Sequence, residues 1–467
     1  MEMEYPAPFI ENMRHLLGEA ELKAFLEALQ TDTPISVRLN DGKQTDFATE
    51  AWRAIPWCPE GYYLPKRPTF TFDPLFHAGC YYVQEASSMF LSQIVKNLVD
   101  EPLIALDLCA APGGKSTLLC DALPAGSLLV ANEVMPQRAQ VLAENLIKWG
   151  HPDVVVTHSD SSEFTSLTHF FDFILTDVPC SGEGMFRKDE GAVREWSPEN
   201  VETCWQRQRM IVENIWPALK PGGILVYSTC TFNLLEDEEN VSWIQKNLGA
   251  EFVEVPVEED WKITFALGNH EMPVYRFLPH KTEGEGLFMA VLRKSADEDE
   301  VPVKRKEKKN KGGKKQSIVV PVPKECKNWL RNADTYFFQW YKDRIMAISK
   351  AFQNQWEILS GNLNVIHAGV TLGTVKGKDV IPDHCLSMSR VRANVFPEYE
   401  ISLEQAIAYL RKEVLILASD APRGFVLLTY KHVPLGFVKN IGNRANNLYP
   451  QEWRIRSGYS PEEIITL

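Results

Sequence analysis

The 467-residue sequence contains no C-x-x-C pair: its nine cysteines stand at Cys58, Cys80, Cys109, Cys120, Cys180, Cys204, Cys230, Cys326 and Cys385. That spacing argues against a structural zinc site or a disulfide framework, and predicts reduced thiols, no bound metal and a cytoplasmic setting. No apolar run approaches the roughly 20 residues that span a bilayer. The acidic start, Met1-Glu-Met-Glu-Tyr-Pro, lacks the basic-then-apolar pattern of a signal peptide, so no membrane association is expected. Positive charge is in short supply too, with 49 Lys and Arg against 62 Asp and Glu and a net charge of −13. Non-specific coating of nucleic acid is thereby disfavoured, whereas a locally basic, shaped site remains compatible. There is no internal repeat, and nothing demands more than a monomer.

What is present is an ordinary globular composition, 45% hydrophobic and 24% charged, in a chain long enough for about two to four domains. The segment 295–317 is almost entirely charged or glycine and reads as a flexible linker; its basic stretch runs from Lys304 to Lys315. Acidic residues cluster at Glu236 to Glu239. Between Leu103 and Leu292 short apolar runs (103–108, 127–131, 154–157, 171–175, 223–227) alternate with helix-like stretches (115–122, 136–149, 199–219, 236–247). Such alternation predicts an α/β domain with a parallel sheet covered by helices. Pro136 suits a helix start, Pro221-Gly-Gly223 reads as a helix stop, and 286–294 is expected to add a strand. The expected division is an N-terminal accessory module (1–95), the sheet domain (96–294), the linker (295–317), an intermediate domain (318–395) and a last domain (396–467). In the accessory module 9–29 reads as a helix and 35–39 as a strand. Residues 328–359 and 401–417 also have helical spacing, and 424–430 with 435–438 read as a hairpin around Lys431-His-Val-Pro434.

The first expected strand runs into Cys109-Ala110-Ala111-Pro112-Gly113-Gly114-Lys115, a glycine turn opening a helix. Backbone there can approach a ligand closely, with helix N–H groups exposed to it. A Walker phosphate loop would need glycine at Cys109, so a nucleotide triphosphatase is excluded. Glu133 after the second strand suits a ribose diol, and Asp160 after the third suits an adenine amino group. A glycine turn without the dinucleotide fingerprint favours S-adenosylmethionine as the cofactor. The helix cap and solvated turn remain the ordinary roles for such acids.

Two cysteines follow the next apolar runs, Cys180 in Asp177-Val-Pro-Cys180-Ser-Gly-Glu-Gly184 and Cys230 in Tyr227-Ser-Thr-Cys230-Thr-Phe-Asn233. Strand carboxyl ends face the ligand crevice of an open α/β sheet. Two thiols and a carboxylate there suit addition to an aromatic ring followed by elimination, the chemistry of methylating carbon 5 of cytosine. A thiolate adding to carbon 6, with an acid at N3, makes carbon 5 nucleophilic; the carbon-5 proton and the thiol must then leave.

Four segments, Gln84–Met89, Leu106–Lys115, Asp177–Gly184 and Tyr227–Asn233, make the chain resemble the Sun-type RNA cytosine-C5 methyltransferases, most of all their bacterial small-subunit ribosomal RNA branch. The resemblance implies a Rossmann-like class I S-adenosylmethionine-dependent methyltransferase domain with an N-terminal module and a C-terminal PUA-like α+β region. It also implies cofactor contacts by Cys109 to Lys115, Glu133, Asp160 and Asp177. By resemblance Cys230 is the nucleophile, Cys180 assists product release and Asp177 serves the base pocket at N3. Spacing alone does not choose between the thiols. Val178, where alanine is more usual, is a conservative departure.

Chemistry on a base requires it to be unstacked. Expected RNA contacts are Arg38, Arg187 and Lys188, with Arg194, Trp196, Arg207 and Arg209 nearby, and Arg444, Arg454 and Arg456 in the PUA-like module. The expected product is 5-methylcytidine in 16S ribosomal RNA, with the small subunit as partner. One alternative is a transfer RNA substrate. The other is a non-catalytic ribosome-assembly factor on the same fold.

Overall fold

A computed structural model describes residues 4–43, 45–296, 321–458 and 463–467. Most of the expected linker lies outside the described residues. Five parallel strands form the heart of a nine-stranded sheet: β1 (Ile104–Asp107), β2 (Leu128–Asn132), β3 (Val154–Thr157), β4 (Phe171–Asp177) and β5 (Leu219–Thr229), in the order β3-β2-β1-β4-β5. Next come β6 (Ala250–Phe252), β7 (Val274–Phe277) and β8 (Leu287–Lys294); β8 pairs antiparallel with β5 and carries β6 and β7. The helices between strands are α1 (Gly114–Ala122), α2 (Pro136–Trp149), α3 (Pro198–Ile215) and α4 (Glu238–Leu248). Every residue of β2 and β3 is buried, as a sheet covered on both faces requires. Strand order reverses between β1 and β4, so the crevice lies at their carboxyl ends.

Helix α2 occupies the expected span, with Pro136 in its first turn and Gly150 at φ 84° closing it. The next expected helix stops earlier than its spacing implied. It ends at Ile215, a short 3-10 turn holds Trp216–Ala218, and Pro221-Gly-Gly223 falls inside β5, where the register against β4 shifts. Pro217 lacks the N–H needed to continue the helix.

Both ends of the chain pack onto the sheet domain. The N-terminal helix Ala7–Leu29 kinks at Gly18, and an antiparallel sheet of Arg53–Ile55, Cys58–Tyr63, Ser36–Leu39 and Tyr81–Val83 follows. Val37, Leu75 and Tyr81 share one apolar core with Tyr409, Leu410, Val426 and Leu435 from the other end. After the linker, β9 (Val365–Ala368) joins β3 antiparallel and covers what would be an open sheet edge. Trp356 and Leu359 join the sheet-domain core beside Phe164 and Ile215.

The expected helix over 328–359 is corrected by the structure. Tyr336–Tyr341 and Arg344–Ser349 are paired strands, and only Gln353–Asn362 is α-helical. Aromatic and β-branched residues favour strands, and Lys342 at φ 55° makes the turn. The helix expected over 401–417 is confined to Leu403–Leu410: a Ser402–Gln405 capping box starts it and Lys412 at φ 66° ends it. The hairpin forms as Gly424–Tyr430 with Val433–Asn440, its turn being Lys431 and His432, both at positive φ. Among the described residues no helix is long and apolar enough to cross a membrane.

Candidate active site

The turn after β1 is fixed from outside. Ala110 N–H donates to the Asn132 carbonyl at 2.8 Å, Arg138 donates to Ala111 O at 2.7 Å, and Asn145 to Pro112 O at 2.8 Å. Gly113 sits at φ 117°, where a side chain would strain the backbone. Glu133, 2% exposed, accepts from the Met135 amide at 2.9 Å, and Arg138 lies 3.4 Å from its other oxygen. Asp160 is exposed and caps the 3-10 turn Ser161–Ser166. Its Oδ1 accepts from the Ser162 hydroxyl (2.6 Å) and amide (3.0 Å), which hold its carboxyl below the usual range. The helix-cap role and the cavity-lining role thus fall on one residue.

Two cavities meet here. The larger, about 670 Å³, is lined by Glu133, Asp160, Asp177, Cys180 and Cys230, with Met135 and Met210 as apolar walls. The smaller, about 290 Å³, is lined by Gln84, Glu85, Lys115, Asp177, Lys188 and Cys230. Asp177 and Cys230 line both; of the two motif thiols, Cys180 lines only the larger.

At the junction, Asp177 Oδ2 lies 2.8 Å from Lys115 Nζ, and its Oδ1 accepts the Ser228 hydroxyl at 2.7 Å. Burial alone would lower the Lys115 pKa; Asp177 outweighs it, so the ammonium is held charged. The Cys180 and Cys230 sulfurs are 3.1 Å apart. This contact, then burial, raises the Cys180 pKa well above the usual thiol range, and either sulfur can be the donor of the pair.

Asp107, 1% exposed, accepts the Ser116 hydroxyl at 2.6 Å through Oδ2, while Oδ1 has no partner among the described residues. Burial pushes its carboxyl up to about 7. The folded state therefore binds more protons than the unfolded chain between about pH 4 and 7, and stability falls as pH rises through that window. The expected slope is at most about 1.4 kcal/mol per pH unit. Asp107→Asn should flatten it in ligand-free urea unfolding at pH 5, 6 and 7. An unchanged slope contradicts this.

A lattice of buried carboxylates that spacing did not single out joins the two cysteine loops. Glu183 accepts from Phe232 N–H (2.7 Å), Trp196 Nε1 (3.0 Å) and Asn233 Nδ2 (3.1 Å). Glu236 accepts from Ser181 N–H (3.0 Å), Gln208 (2.7 Å) and Asn233 (2.9 Å). Beneath them Arg276 pairs with Asp237 and Glu238 and donates to Phe232 O at 3.0 Å. The acidic run 236–239 is thus largely interior: its first three members are 0% exposed. Glu183 was visible within the Ser-Gly-Glu-Gly motif; Arg276 carried no sequence signal.

Several expected RNA contacts are structural instead. Arg38 is 2% exposed, donates to Gln84 (3.0 Å) and Thr117 (2.6 Å), lies 3.3 Å from Asp121 and stacks on Trp149. In this structure it ties the N-terminal module to α1. Arg187 is spent on the Thr31, Asp32 and Gly284 carbonyls, and Trp196 is buried against Phe9. Arg209 stacks between Trp205 and Trp243. Lys188, paired with Glu285, lines the smaller cavity, and exposed Arg207 lines the larger. Arg194 is exposed and paired with Glu190. Arg444 and Arg456 are exposed, while Arg454 is half-buried and donates to Gln451 O.

Comparison with known proteins gives this site its context. Residues 94–293 match the family model for 16S rRNA methyltransferase RsmB/F. Residues 5–86 match the N-terminal domain of 16S rRNA methyltransferase RsmF, and 396–455 the methyltransferase RsmF PUA domain. Ribosomal RNA small subunit methyltransferase F of Erwinia tasmaniensis is 30% identical over 473 residues, covering 96% of each chain. Its namesake from Pectobacterium carotovorum is 30% identical over 488 residues, covering 97% of this chain and 96% of its own. Among solved structures, a methyltransferase homolog from Pyrococcus horikoshii has a TM-score of 0.55 at 28% identity, covering 62% of this chain and 96% of that one. NSun6 from the same organism, at 21% identity and a TM-score of 0.53 over 63% of this chain and 99% of its own, shares the fold. With relatives matched at this identity from end to end, the chain belongs to the RsmF family of 16S rRNA methyltransferases.

Proposed function

We propose that this protein transfers a methyl group from S-adenosylmethionine to carbon 5 of a cytidine in 16S ribosomal RNA, through a covalent bond between Cys230 and carbon 6. The observation that carries this reading is that Cys230 and Asp177 line both cavities, so one thiol and one carboxylate can serve base and cofactor together. The site fits the cofactor: acids and apolar walls share the larger cavity, and in the adjoining smaller one Asp107 has a buried oxygen without a partner among the described residues. Cys109 to Lys115, Glu133, Asp160 and Asp177 would hold it. When bound, it supplies an electrophilic methyl group.

This chain's residues do the rest. Cys230, as thiolate, adds to carbon 6, and Asp177, placed by Lys115 and Ser228, delivers a proton to N3, where the displaced electron pair collects. The placing of Cys230 in both cavities and of Cys180 in the larger alone supports Cys230 as the attacking thiol, with a Cys180 S–H 3.1 Å away able to stabilise its thiolate. After methyl transfer solvent takes the carbon-5 proton, the freed C–H pair re-forms the carbon 5–carbon 6 double bond and expels Cys230 as its thiolate, and Cys180 assists that departure by hydrogen-bonding the leaving sulfur. The divisions 1–95, 96–294, 318–395 and 396–467 then serve substrate approach, chemistry, support and RNA capture. Arg444, Arg454 and Arg456 are phosphate contacts in the last.

The relatives, named for ribosomal RNA, favour that substrate over transfer RNA. Asp177, Cys180 and Cys230 argue against an idle scaffold. The test is nucleoside mass spectrometry after incubation with S-adenosylmethionine and small subunits, 16S RNA or transfer RNA. New 5-methylcytidine in 16S RNA is expected; its appearance only in transfer RNA, or nowhere, overturns the reading.

Gly184→Ala tests the geometry of the loops. Gly184 N–H donates to Cys230 O at 2.8 Å, and an added Cβ would lie 3.0 Å from that oxygen and 3.2 Å from Gly286 O. Displacement of the nucleophile by tenths of an ångström should slow single-turnover methylation by roughly 10- to 100-fold. A wild-type rate contradicts this.

A further inference from the structure

The larger cavity has a wall that its own sheet domain does not hold alone. Residues Val134, Met135, Ser159, Asp160 and Ser161 line it on the side of the β2 and β3 carboxyl ends. The turn carrying Ser159 and Asp160 is gripped by Asn364, which lies beyond the linker, just before β9. His158 N–H donates to Asn364 O at 2.9 Å, and Asn364 N–H donates to Ser159 Oγ at 3.1 Å. The side chains close a third link, Asn364 Nδ2 to His158 Nδ1 at 3.2 Å, and His158 Nε2 reaches Val134 O at 3.0 Å. An amide N–H can donate only to an unprotonated ring nitrogen, so Nδ1 accepts and Nε2–H donates. One imidazole therefore links Asn364 to Val134 on the same wall of the cavity.

We propose that Asn364 is a positioning residue of the cofactor site, so that the region after the linker completes the S-adenosylmethionine pocket as well as serving RNA capture. This rests on the reading of the larger cavity as the cofactor site. From the sheet domain the Asp160 loop is held by its capping box with Glu163, by Asn132, whose side chain bonds both Ser159 N–H and Ser159 O at 3.0 Å, and by Asn214, which donates to Ser161 Oγ at 3.0 Å; Asn364 ties it to the region beyond the linker. Asn364→Ala removes the side-chain link to His158, and the added Ser159→Ala removes the hydroxyl that accepts from Asn364 N–H, so Asp160 and Val134 are tied less firmly although the His158 N–H bond to Asn364 O remains. Cofactor affinity should fall while the thiols, 3.1 Å apart on other strand ends, keep their geometry.

The experiment measures S-adenosylmethionine binding calorimetrically and steady-state kinetics on the full chain, for wild type, Asn364→Ala, Asn364→Ala with Ser159→Ala, and Asn362→Ala. Asn362 is the control: it lies two residues away, bonds Ile358 O at 2.9 Å and touches Ser166, at the end of the 3-10 turn away from Asp160. Asn364→Ala should weaken cofactor binding about fivefold, and the double change more than tenfold. KM for the cofactor should rise in parallel, with kcat at saturating cofactor and KM for RNA within twofold of wild type. Asn362→Ala should bind as wild type does. Wild-type affinity in the Asn364 variants, or equal losses in Asn362→Ala, overturns the proposal. A fall in kcat without a change in cofactor KM overturns it too. If wild type itself binds no S-adenosylmethionine, the functional reading fails instead.

Discussion

Cys230→Ala is expected to reduce methyl transfer by roughly 10⁴-fold or more, with cofactor affinity within about threefold of wild type. The methyl sulfonium is electrophilic enough, but carbon 5 of an intact cytosine is a poor nucleophile until carbon 6 is saturated. Among the other candidates, Lys115 is held as an ammonium by Asp177, Cys180 does not line the smaller cavity, and burial raises the pKa of Cys109, which lines both cavities, well above the usual thiol range. The measurement is single-turnover transfer of radiolabelled methyl to small subunits, with calorimetry for cofactor binding. Retention of more than about a hundredth of the wild-type rate would assign the addition elsewhere.

Arg276→Met should be the most damaging change away from the reacting atoms. Arg276 is 1% exposed, its Nε donates to Glu238 at 2.7 Å, and its Nη2 lies 3.1 Å from Asp237, both acids being 0% exposed. Removing the cation leaves two carboxylates in an interior that already raises the Asp237 pKa well above the carboxylate range through burial. Breaking one side of such a cluster costs about 3–5 kcal/mol, a large part of a domain's stability. The thermal midpoint should fall by roughly 10 °C. The damage should reach the site, because Arg276 also donates to Phe232 O, two residues past Cys230. A midpoint within 2 °C of wild type would contradict the cluster's structural role.

The sheet was readable because parallel strands buried on both faces leave unbroken apolar runs: 154–157 is β3 to the residue, and Pro136 and Gly150 bracket α2. The site was readable as motifs at strand ends, since a glycine turn and two cysteines announce themselves locally. Charge and aromatic content misled where tertiary contacts decide. Arg38 resembles an RNA contact in sequence, but Trp149, Thr117 and Asp121, all distant along the chain, enclose it. Glu236 to Glu238 stand out in the sequence only as part of an acidic cluster; the fold brings Arg276, Ser181 and Gln208 to them. Tyr336–Tyr341 has apolar residues at both helical and strand spacings, and only pairing with Arg344–Ser349 settles which applies. Asn364 has no local mark at all; its role comes from β9 docking on β3.

The measurement that bears most directly on the account is a denaturing gel for covalent protein–RNA adduct, with S-adenosylmethionine and small subunits. It compares wild type, Cys180→Ala, Cys230→Ala and the double variant. With release impaired and addition intact, Cys180→Ala should accumulate a slow-migrating, ribonuclease-sensitive band that the added Cys230→Ala removes. A band that depends on Cys180 and persists in Cys230→Ala would contradict the assignment of the two thiols, and no band in any variant would contradict the covalent route.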